Sequence, residues 1–364
     1  MSRKTIDTSA LEKIVHSILD NNRGILAADE SPGTMGKRFG ENVENTIEKR
    51  MKIRKMFFET PGLNEYIGGV ILHEETLKCP DTIKPLNDAG IILGIKTDKG
   101  LETLANADPT EKTTAHGLKD LAKRNEEFYK LGARFAKWRA VLIIGDKTPT
   151  AASYEDVAES LGQYALISQQ NGLVPIIEPE VLPDGLHSIE KSREVTEKII
   201  ELTLLRAEKL GVHMPGALLK VNMVTQGAEN SKTTPHDVQK VAEMTVDSLT
   251  KGTSKLKKNI GGVVFLSGGL SEIDSSKFLN AINKQKNEKS VLKEVPLHFS
   301  FARALQKSAI ALFNSNSSAD KVHESLKHRC KMNSMATKYQ YTESLEGGNL
   351  EKAKESNFIA KNAY

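Results

Sequence analysis

Residues 216–223 read GALLKVNM, a short and almost unbroken apolar segment that contains one lysine, Lys220. A strand exposed on one face would alternate apolar and polar residues, whereas this segment is apolar on both faces. It is therefore typical of a strand in a parallel sheet that is buried on both sides. We predict such a strand here, with a charged residue inside it.

Seven other short segments have the same apolar character, and several begin with glycine. They are 24–29 (GILAAD), 68–72 (GGVIL), 91–96 (IILGIK), 133–139 (ARFAKWR), 172–180 (GLVPIIEPE), 261–267 (GGVVFLS) and 295–300 (VPLHFS). Residues 155–170, 188–210 and 236–250, which follow three of the segments, have apolar residues at helical spacing. Strands that alternate with helices in this way predict a closed (β/α)8 TIM barrel. A doubly wound open sheet is the alternative, but none of the segments is followed by a G-x-G-x-x-G turn.

The 364 residues exceed a usual single domain, although barrels of this kind extend beyond about 400 residues as one domain. We predict a barrel domain over residues 1–339, which opens with an N-terminal helix. Ser9 and Glu12 form a capping box at its start. From about residue 340 the sequence becomes polar and glycine-containing, which predicts a mobile C-terminal tail over residues 340–364.

The composition is that of a globular protein, and the net charge of +4 is too small for a nucleic-acid-binding surface. The two cysteines, Cys79 and Cys330, allow no disulfide framework and no paired C-x-x-C zinc site. No apolar run reaches the roughly 18 residues of a membrane span, and the start lacks a signal peptide. We therefore expect a cytoplasmic protein that binds neither nucleic acid nor a membrane.

Polar residues stand at the C-terminal ends of the predicted strands, where a barrel of this kind has its active site. Side chains alternate between the faces of a strand, so Lys137 and Arg139 project together. Glu178 and Glu180 do likewise on the next strand, and Lys220 follows on the one after that. The polar residues at strand ends are Asp29, Lys96, Lys137, Arg139, Glu178, Glu180, Lys220, Asn222, Ser267 and Ser300. For each residue alone, the alternative is a charge that merely reaches solvent.

Lys220 has the most informative surroundings of these residues. An amine among apolar side chains loses its hydration, which favours the neutral and nucleophilic form, and repulsion from Lys137 favours that form further. Glu178 lies between two apolar residues, so it can exchange protons near neutral pH. The combination indicates catalysis through a Schiff base.

The last two strands lead into a candidate phosphate site. Ser267, Gly268 and Gly269 form a turn after the seventh segment, and Arg303 follows Ser300 at the end of the eighth. Backbone amides and helix N-termini after the late strands of a barrel commonly bind phosphate. A serine and two glycines alone more often form a plain tight turn, and the arginine on the next loop strengthens the prediction.

Six blocks of the sequence, in order and over nearly the whole chain, resemble those of class I fructose-bisphosphate aldolases. They are 24–31 (GILAADES), 94–100 (GIKTDKG), 135–139 (FAKWR), 174–185 (VPIIEPEVLPDG), 218–224 (LLKVNMV) and 265–269 (FLSGG). The final residues Asn362, Ala363 and Tyr364 also resemble that family's tail. The resemblance implies reversible cleavage of fructose 1,6-bisphosphate to dihydroxyacetone phosphate and glyceraldehyde 3-phosphate, in glycolysis and gluconeogenesis.

The resemblance also implies a role for each matching residue. Lys220 would form the Schiff base, Glu178 would be the principal acid and base, and Tyr364 would assist proton transfer at the enamine carbon. The supporting catalytic groups would be Asp29, Lys137 and Glu180. One phosphate of the sugar would contact Ser267, Gly268, Gly269, Ser300 and Arg303. The rest of the sugar would contact Ser31, Arg38, Arg50, Lys96 and Arg139. The resemblance further implies a homotetramer, no metal or cofactor, and a cytoskeletal partner.

The sequence departs from the family pattern at a few positions. Val221 stands where a proline usually follows the Schiff-base lysine, and Phe301 and Ala302 replace a usual Tyr-Gly pair. An alanine would restrict the loop only if a positive φ were needed there. None of these changes removes a reacting group.

Three alternatives remain beside this reading. A metal-dependent aldolase would need clustered histidines, but those of this chain are scattered and no H-E-x-x-H occurs. Another Schiff-base barrel, such as a transaldolase-like or pyridoxal-phosphate protein, would not need phosphate-binding features at both ends of a sugar. A binding scaffold could keep the barrel without activity, yet every group that catalysis needs is present.

Overall fold

The computed structural model describes residues 5–40, 43–289, 292, 294–349 and 353–358. Within these residues, parallel strands form a closed barrel: β1 (Gly24–Ala28), β2 (Ile67–Leu72), β3 (Ile92–Lys96), β4 (Phe135–Leu142), β5 (Val174–Val181), β6 (Leu218–Asn222), β7 (Gly262–Leu266) and β8 (Leu297–Phe301). Neighbours in sequence are neighbours in the barrel, and β8 pairs with β1 to close it. The predicted closed barrel is confirmed, and the open sheet is not.

Helices surround the barrel and occupy most of the intervals between strands. In the described ranges they are α1 (Thr8–Leu19), α2 (Pro32–Phe39), α3 (Ile47–Phe58), α4 (Glu74–Leu77), α5 (Pro80–Asp88), α6 (Leu121–Lys130), α7 (Ala151–Gln170), α8 (Ile189–Leu210), α9 (Ala228–Ser231), α10 (Val238–Thr253), α11 (Glu272–Lys289), α12 (Arg303–Asn314) and α13 (Ala319–Thr337). The three helices predicted from apolar spacing correspond to α7, α8 and α10. Their N-caps are Thr150, Ser188 and Asp237, whose side chains accept hydrogen bonds from backbone amides of the first turn.

The N-terminal helix is present, but its predicted capping box is wrong. Helix α1 begins at Thr8, and Asp7 is the N-cap, with its side chain accepting from the amide of Ala10 at 3.0 Å. Ser9 therefore lies inside the first turn. An aspartate caps a helix as well as a serine does, so the upstream carboxylate displaces the start by two residues.

Helix α1 closes the N-terminal end of the barrel. Val15 and Ile18 of this helix pack against Ile25 in the barrel interior. Gly68 of β2 allows the close approach, because a Cβ there would lie 2.0 Å from the carbonyl oxygen of Ile18. Apolar side chains therefore fill this end of the barrel, and polar groups can gather only at the opposite end.

The segment after α13 packs against the helices instead of leaving the barrel at residue 340. The amide of Tyr341 donates to Asn280 at 2.9 Å, and its hydroxyl donates to Glu346 at 2.7 Å. Glu346 is buried and also accepts from Arg329. A division into domains at residue 340 thus stays a prediction, and the end of the predicted tail, with Tyr364, lies outside the described residues.

Two further expectations concern cysteines and membranes. Both Cys79 and Cys330 are free thiols. Over the described part of the chain, none of the helices combines the length and the apolar character needed to span a membrane.

Candidate active site

A cavity of about 540 Å³ opens at the C-terminal end of the barrel strands, where the sequence pattern predicts the site. The predicted residues that line it are Asp29, Ser31, Arg38, Lys96, Lys137, Arg139, Glu178, Glu180, Lys220, Ser267, Gly268, Ser300 and Arg303. Gly269 and Arg50 stand outside its wall. The barrel therefore brings together most of the predicted residues, although they are dispersed over the sequence.

Two lysines converge on Glu178 at the base of the cavity. Nζ of Lys220 in β6 lies 3.0 Å from Oε1 of Glu178 in β5. Nζ of Lys137 in β4 lies 3.4 Å from Oε2 of the same carboxylate. The three side chains are at most 6% exposed. This is the convergence on one point that the alternation of side chains predicts, and a single buried carboxylate bridges the two amines.

Lys137 lies at the centre of a group of carboxylates. Its Nζ is 2.8 Å from Oδ2 of Asp29 and 3.8 Å from Oδ2 of Asp98, in addition to Glu178. Burial disfavours the ammonium form, but the three carboxylates outweigh it and raise the pKa of Lys137 above its ordinary value. Burial likewise favours neutral Asp29, yet Lys137 and Lys220 hold the pKa of Asp29 far below its ordinary value. These contacts therefore favour the ammonium form of Lys137, paired with the carboxylate form of Asp29.

Glu180 pairs with Arg139. Nε of Arg139 is 2.5 Å from Oε2 of Glu180, and both side chains are largely buried. Burial favours the neutral acid, but Arg139 outweighs it and lowers the pKa of Glu180. Glu180 thus remains a carboxylate that orients Arg139 in the cavity wall.

The turn after β7 and the start of α12 form a candidate anion site. Gly268 and Gly269 have φ angles of +56° and +86°, a region that favours glycine. The buried hydroxyl of Ser300 lacks a protein hydrogen-bond partner, and Arg303 begins α12. Ala302 has a φ of −106°, so the replacement of a usual glycine at this position causes no strain from a positive φ.

The C-terminal segment lies directly on this turn. The backbone amide of Asn357 donates to the carbonyl oxygen of Gly269 at 2.9 Å. The side-chain amide of Asn357 donates to the carbonyl oxygen of Leu270 at 2.7 Å. The guanidinium of Arg303 donates to the carbonyl oxygen of Asn357. A Cβ on Gly269 would lie 3.0 Å from the Cα of Phe358. Gly269 therefore packs beneath the C-terminal segment, which explains why it does not line the cavity.

Ser31, Arg38 and Lys96 line another part of the wall. Ser31 is the N-cap of α2 and accepts from the amide of Thr34 at 3.3 Å. Arg38 pairs with Glu30. Lys96 projects from the end of β3 into the cavity. The arrangement gives one hydroxyl and two cations that a second phosphate can contact.

Arg50 does not join this group. Its Nε and Nη2 donate to the two carboxylate oxygens of Glu75 at 2.9 and 2.8 Å, and Nη1 donates to Asn45 at 3.1 Å. A bidentate pairing of this kind fixes the guanidinium plane, here away from the cavity. The prediction that Arg50 contacts substrate stays a prediction, and the sequence does not reveal that Glu75 binds this side chain.

Other residues in the cavity wall were not singled out from the sequence. Asp98, whose carboxylate lies near both Lys96 and Lys137, occurs within the block at 94–100 and follows β3 by two residues. His73 also lines the wall; its Nδ1 accepts from the amide of Glu75 at 3.4 Å, and burial lowers the pKa of His73. In the described ranges, no group of three or more histidines, cysteines or carboxylates is arranged to hold a metal ion.

The barrel and its lysine-centred cavity are of the kind found in aldehyde lyases. A sequence model described as fructose-bisphosphate aldolase class-I matches residues 10–364. The chain therefore belongs to the class I fructose-bisphosphate aldolase family, carbon–carbon lyases that act on phosphorylated sugars. The family and the enzyme class predicted from the sequence are confirmed.

Individual relatives support the same assignment. The chain is 44% identical over 344 residues to cytosolic fructose-bisphosphate aldolase 5 of Arabidopsis thaliana, covering 93% of both chains. It is 42% identical over 363 residues to the non-muscle aldolase of Lethenteron camtschaticum, covering 97% of this chain and 96% of the relative. The Plasmodium falciparum aldolase, solved in complex with TRAP and a small-molecule inhibitor, superposes with a TM-score of 0.85 at 42% identity. That match covers 92% of this chain and 96% of the other.

Proposed function

We propose that this chain cleaves fructose 1,6-bisphosphate reversibly through a Schiff base on Lys220. The observation that carries the proposal is the buried contact between Lys220 and Glu178, with Lys137 on the other carboxylate oxygen. An amine must lose its proton before it attacks a ketone, and an acid must then expel water. Transfer of one proton over the 3.0 Å from Lys220 to Glu178 produces both required forms.

The neighbourhood of the two lysines supports Lys220, and not Lys137, as the nucleophile. Lys137 is surrounded by Asp29, Asp98 and Glu178, which raise its pKa and keep the amine protonated. A protonated amine cannot attack a carbonyl, whereas it can stabilise an oxyanion. Lys220 has one of these carboxylates within salt-bridge distance, and that carboxylate can accept its proton.

The reaction then proceeds in balanced steps. The Lys220 amine adds to C2 of the open-chain sugar, and Glu178 donates the proton with which the C2 hydroxyl leaves as water. A carboxylate takes the proton of the C4 hydroxyl, the C3–C4 bond breaks, and its electron pair moves to the iminium to form an enamine. Lys137 stabilises the charge that develops on the C4 oxygen as glyceraldehyde 3-phosphate departs. Protonation of the enamine at C3 and hydrolysis release dihydroxyacetone phosphate.

We assign the two phosphates to the two cation-bearing parts of the wall. Ser267, Gly268, Ser300 and Arg303 hold one phosphate through hydroxyls, backbone amides and a guanidinium. The buried Ser300 hydroxyl without a protein partner supports this assignment. We assign Ser31, Arg38 and Lys96 to the other phosphate, and Arg139 lines the same cavity.

The proposal is tested by reduction with borohydride in the presence of dihydroxyacetone phosphate, followed by peptide mapping. We expect a stable adduct on the peptide that contains Lys220, and we expect Lys220→Met to abolish both adduct and cleavage. Lys137→Met is the matched control, because it removes a neighbouring buried amine and should retain an adduct at Lys220. An adduct on Lys137 or Lys96 alone would refute the assignment, and a lack of any adduct would favour a metal-dependent reaction.

We further propose that the protein works as a cytoplasmic homotetramer with a catalytic tail over residues 340–364. Several relatives are named as cytosolic isozymes, which supports the location. A cytoskeletal partner is proposed from the family resemblance alone. Sedimentation-velocity analysis tests the tetramer, cell fractionation the location, and co-sedimentation with filaments the partner.

A further inference from the structure

Asp98 is a buried carboxylate that the proposed steps do not use. It follows β3 by two residues, and its side chain is 5% exposed. Oδ1 is 2.6 Å from Nζ of Lys96, and Oδ2 is 3.8 Å from Nζ of Lys137. The amides of Gly100 and Arg139 donate to the same carboxylate at 3.3 and 3.4 Å. One carboxylate therefore bridges two lysines, and backbone groups fix its orientation.

The two lysines require such a bridge because of their place in the barrel. Lys96 and Lys137 are register partners on β3 and β4. Directly paired residues of adjacent strands project to the same face about 5 Å apart. Two ammonium groups so placed repel each other, and repulsion is stronger in a buried site than in water. Without a shared counter-charge, deprotonation of one lysine would relieve the repulsion.

Asp98 also determines where Lys96 points. The Lys96 ammonium donates to the main-chain carbonyl of Asp98 at 2.8 Å as well as to its side chain. Lys137 has Asp29 and Glu178 as closer partners. Burial would favour neutral Asp98, but the two lysines outweigh that effect and lower its pKa. These effects favour the ionised form of Asp98, and its contacts fix the position of the Lys96 ammonium.

We propose that Asp98 is a positioning residue that holds the ammonium groups of Lys96 and Lys137 in place, one at each of its carboxylate oxygens. The inference rests on the proposed function, which gives Lys137 a task at the C4 oxygen and Lys96 a task at a phosphate. Asp98 acts through these two lysines and has no proton-transfer role of its own. Its removal therefore affects cleavage and phosphate contact, while formation of the Schiff base continues.

Several charged and titratable groups surround Lys137. They are Asp29 after β1, Lys96 and Asp98 at the end of β3, Glu178 in β5, Lys220 in β6 and Tyr164 in α7. Loss of the charge on Asp98 leaves two carboxylates near Lys137. The ammonium of Lys137 is then held by Asp29 and Glu178 alone.

The test is Asp98→Asn, which keeps the shape of the side chain and removes its charge. We expect kcat on fructose 1,6-bisphosphate to fall about 10- to 100-fold, because the two lysines lose their fixed positions. The rate of borohydride-trapped adduct formation should fall less than kcat, because Lys220 and Glu178 keep their contact. Borohydride should still trap dihydroxyacetone phosphate on Lys220. Asp156→Asn is the matched control, since Asp156 is partly buried and contacts Thr113, away from the cavity.

The outcomes separate this inference from the proposed function. A wild-type kcat in Asp98→Asn, or equal falls in kcat and in the rate of adduct formation, overturns the role of Asp98, even with an adduct on Lys220. Absence of that adduct in the wild type overturns the proposed function instead. If Asp98→Asn does not fold, the double variant Asp98→Asn/Lys96→Gln removes one negative and one positive charge together. Its kcat is then compared with that of Lys96→Gln, and equal kcat values also overturn the role.

Discussion

The amine of Lys220 and the carboxylate of Glu178 are 3.0 Å apart in a site where both side chains are almost fully buried. The contact predicts that Glu178→Gln forms the Schiff base slowly, because no acid remains to expel water from the carbinolamine. General acid catalysis contributes about 10²- to 10⁴-fold, and we expect kcat to fall within that range. Rapid-quench trapping with borohydride measures adduct formation separately from turnover.

The matched control for this prediction is Glu180→Gln, since Glu180 is equally buried but pairs with Arg139. It should slow turnover with less effect on the rate of adduct formation. If Glu178→Gln forms the adduct at the wild-type rate, the acid in this step is another group.

Arg303 is expected to bind phosphate at the start of α12. Arg303→Ala should raise KM for phosphorylated sugars by about 10- to 100-fold, because a hydrogen bond to a charged partner contributes about 1.5–3 kcal/mol. Lys307→Ala is the control: Lys307 lies one turn further along α12 and contacts Glu355 in the C-terminal segment, outside the catalytic cavity. Steady-state kinetics measure KM for both variants. Equal KM values for Arg303→Ala and Lys307→Ala would exclude a phosphate contact at Arg303.

Much of the site follows from strand alternation. Lys220, Glu178 and Lys137 could be placed together because adjacent parallel strands present register-related residues to the same face. Arg50 could not be judged in this way, since its direction depends on a pairing with Glu75 between two helical segments. Asp98 could not be placed for a related reason, because it lies in a loop, and a loop has no periodicity that predicts where a side chain points.

In the fold, too, the features set by the apolar pattern could be predicted, and those set by single polar contacts could not. The apolar segments predicted the barrel strands to within a few residues, because burial on both faces imposes a continuous apolar pattern. The start of α1 and the packing of Tyr341 depended on single polar contacts, by Asp7 and Glu346. Several nearby polar residues could make such contacts, so composition alone does not select among them.

The ionised Glu346 is expected to stabilise the fold in a pH-dependent way. Burial would raise its pKa, but hydrogen bonds from His328 and Arg329 outweigh that effect and lower the pKa of Glu346 to about 2. A carboxyl whose pKa is lower in the folded state stabilises the protein above its unfolded pKa, near 4.5. That contribution, about 2–3 kcal/mol, is lost as the pH falls toward 2.

Glu346→Gln should therefore have a lower Tm than the wild type at pH 7, and the difference should shrink as the pH falls below about 4.5. Differential scanning calorimetry at several pH values measures it. Glu355→Gln, at an exposed glutamate, should show a small difference at every pH. A Tm difference for Glu346→Gln that does not change with pH would mean that the glutamate acts through packing and not through its charge.

The last prediction concerns Tyr364 and begins from Asn357, which is anchored to Gly269 and Arg303 at the rim of the cavity. Tyr364 follows Phe358 by six positions, and an extended chain of that length spans about 20 Å, enough to reach the cavity from its rim. A phenol that enters after cleavage can carry the proton to C3 of the enamine. Tyr364→Phe should therefore slow enamine protonation and turnover of fructose 1,6-bisphosphate far more than it slows formation of the borohydride-trapped adduct.

Turnover of fructose 1-phosphate should change less in Tyr364→Phe, because weaker binding makes earlier steps limiting. The control variant Asn362→Ala should change the turnover of neither sugar. Equal losses on both sugars, or wild-type rates on both, would show that the phenol has no selective part in catalysis.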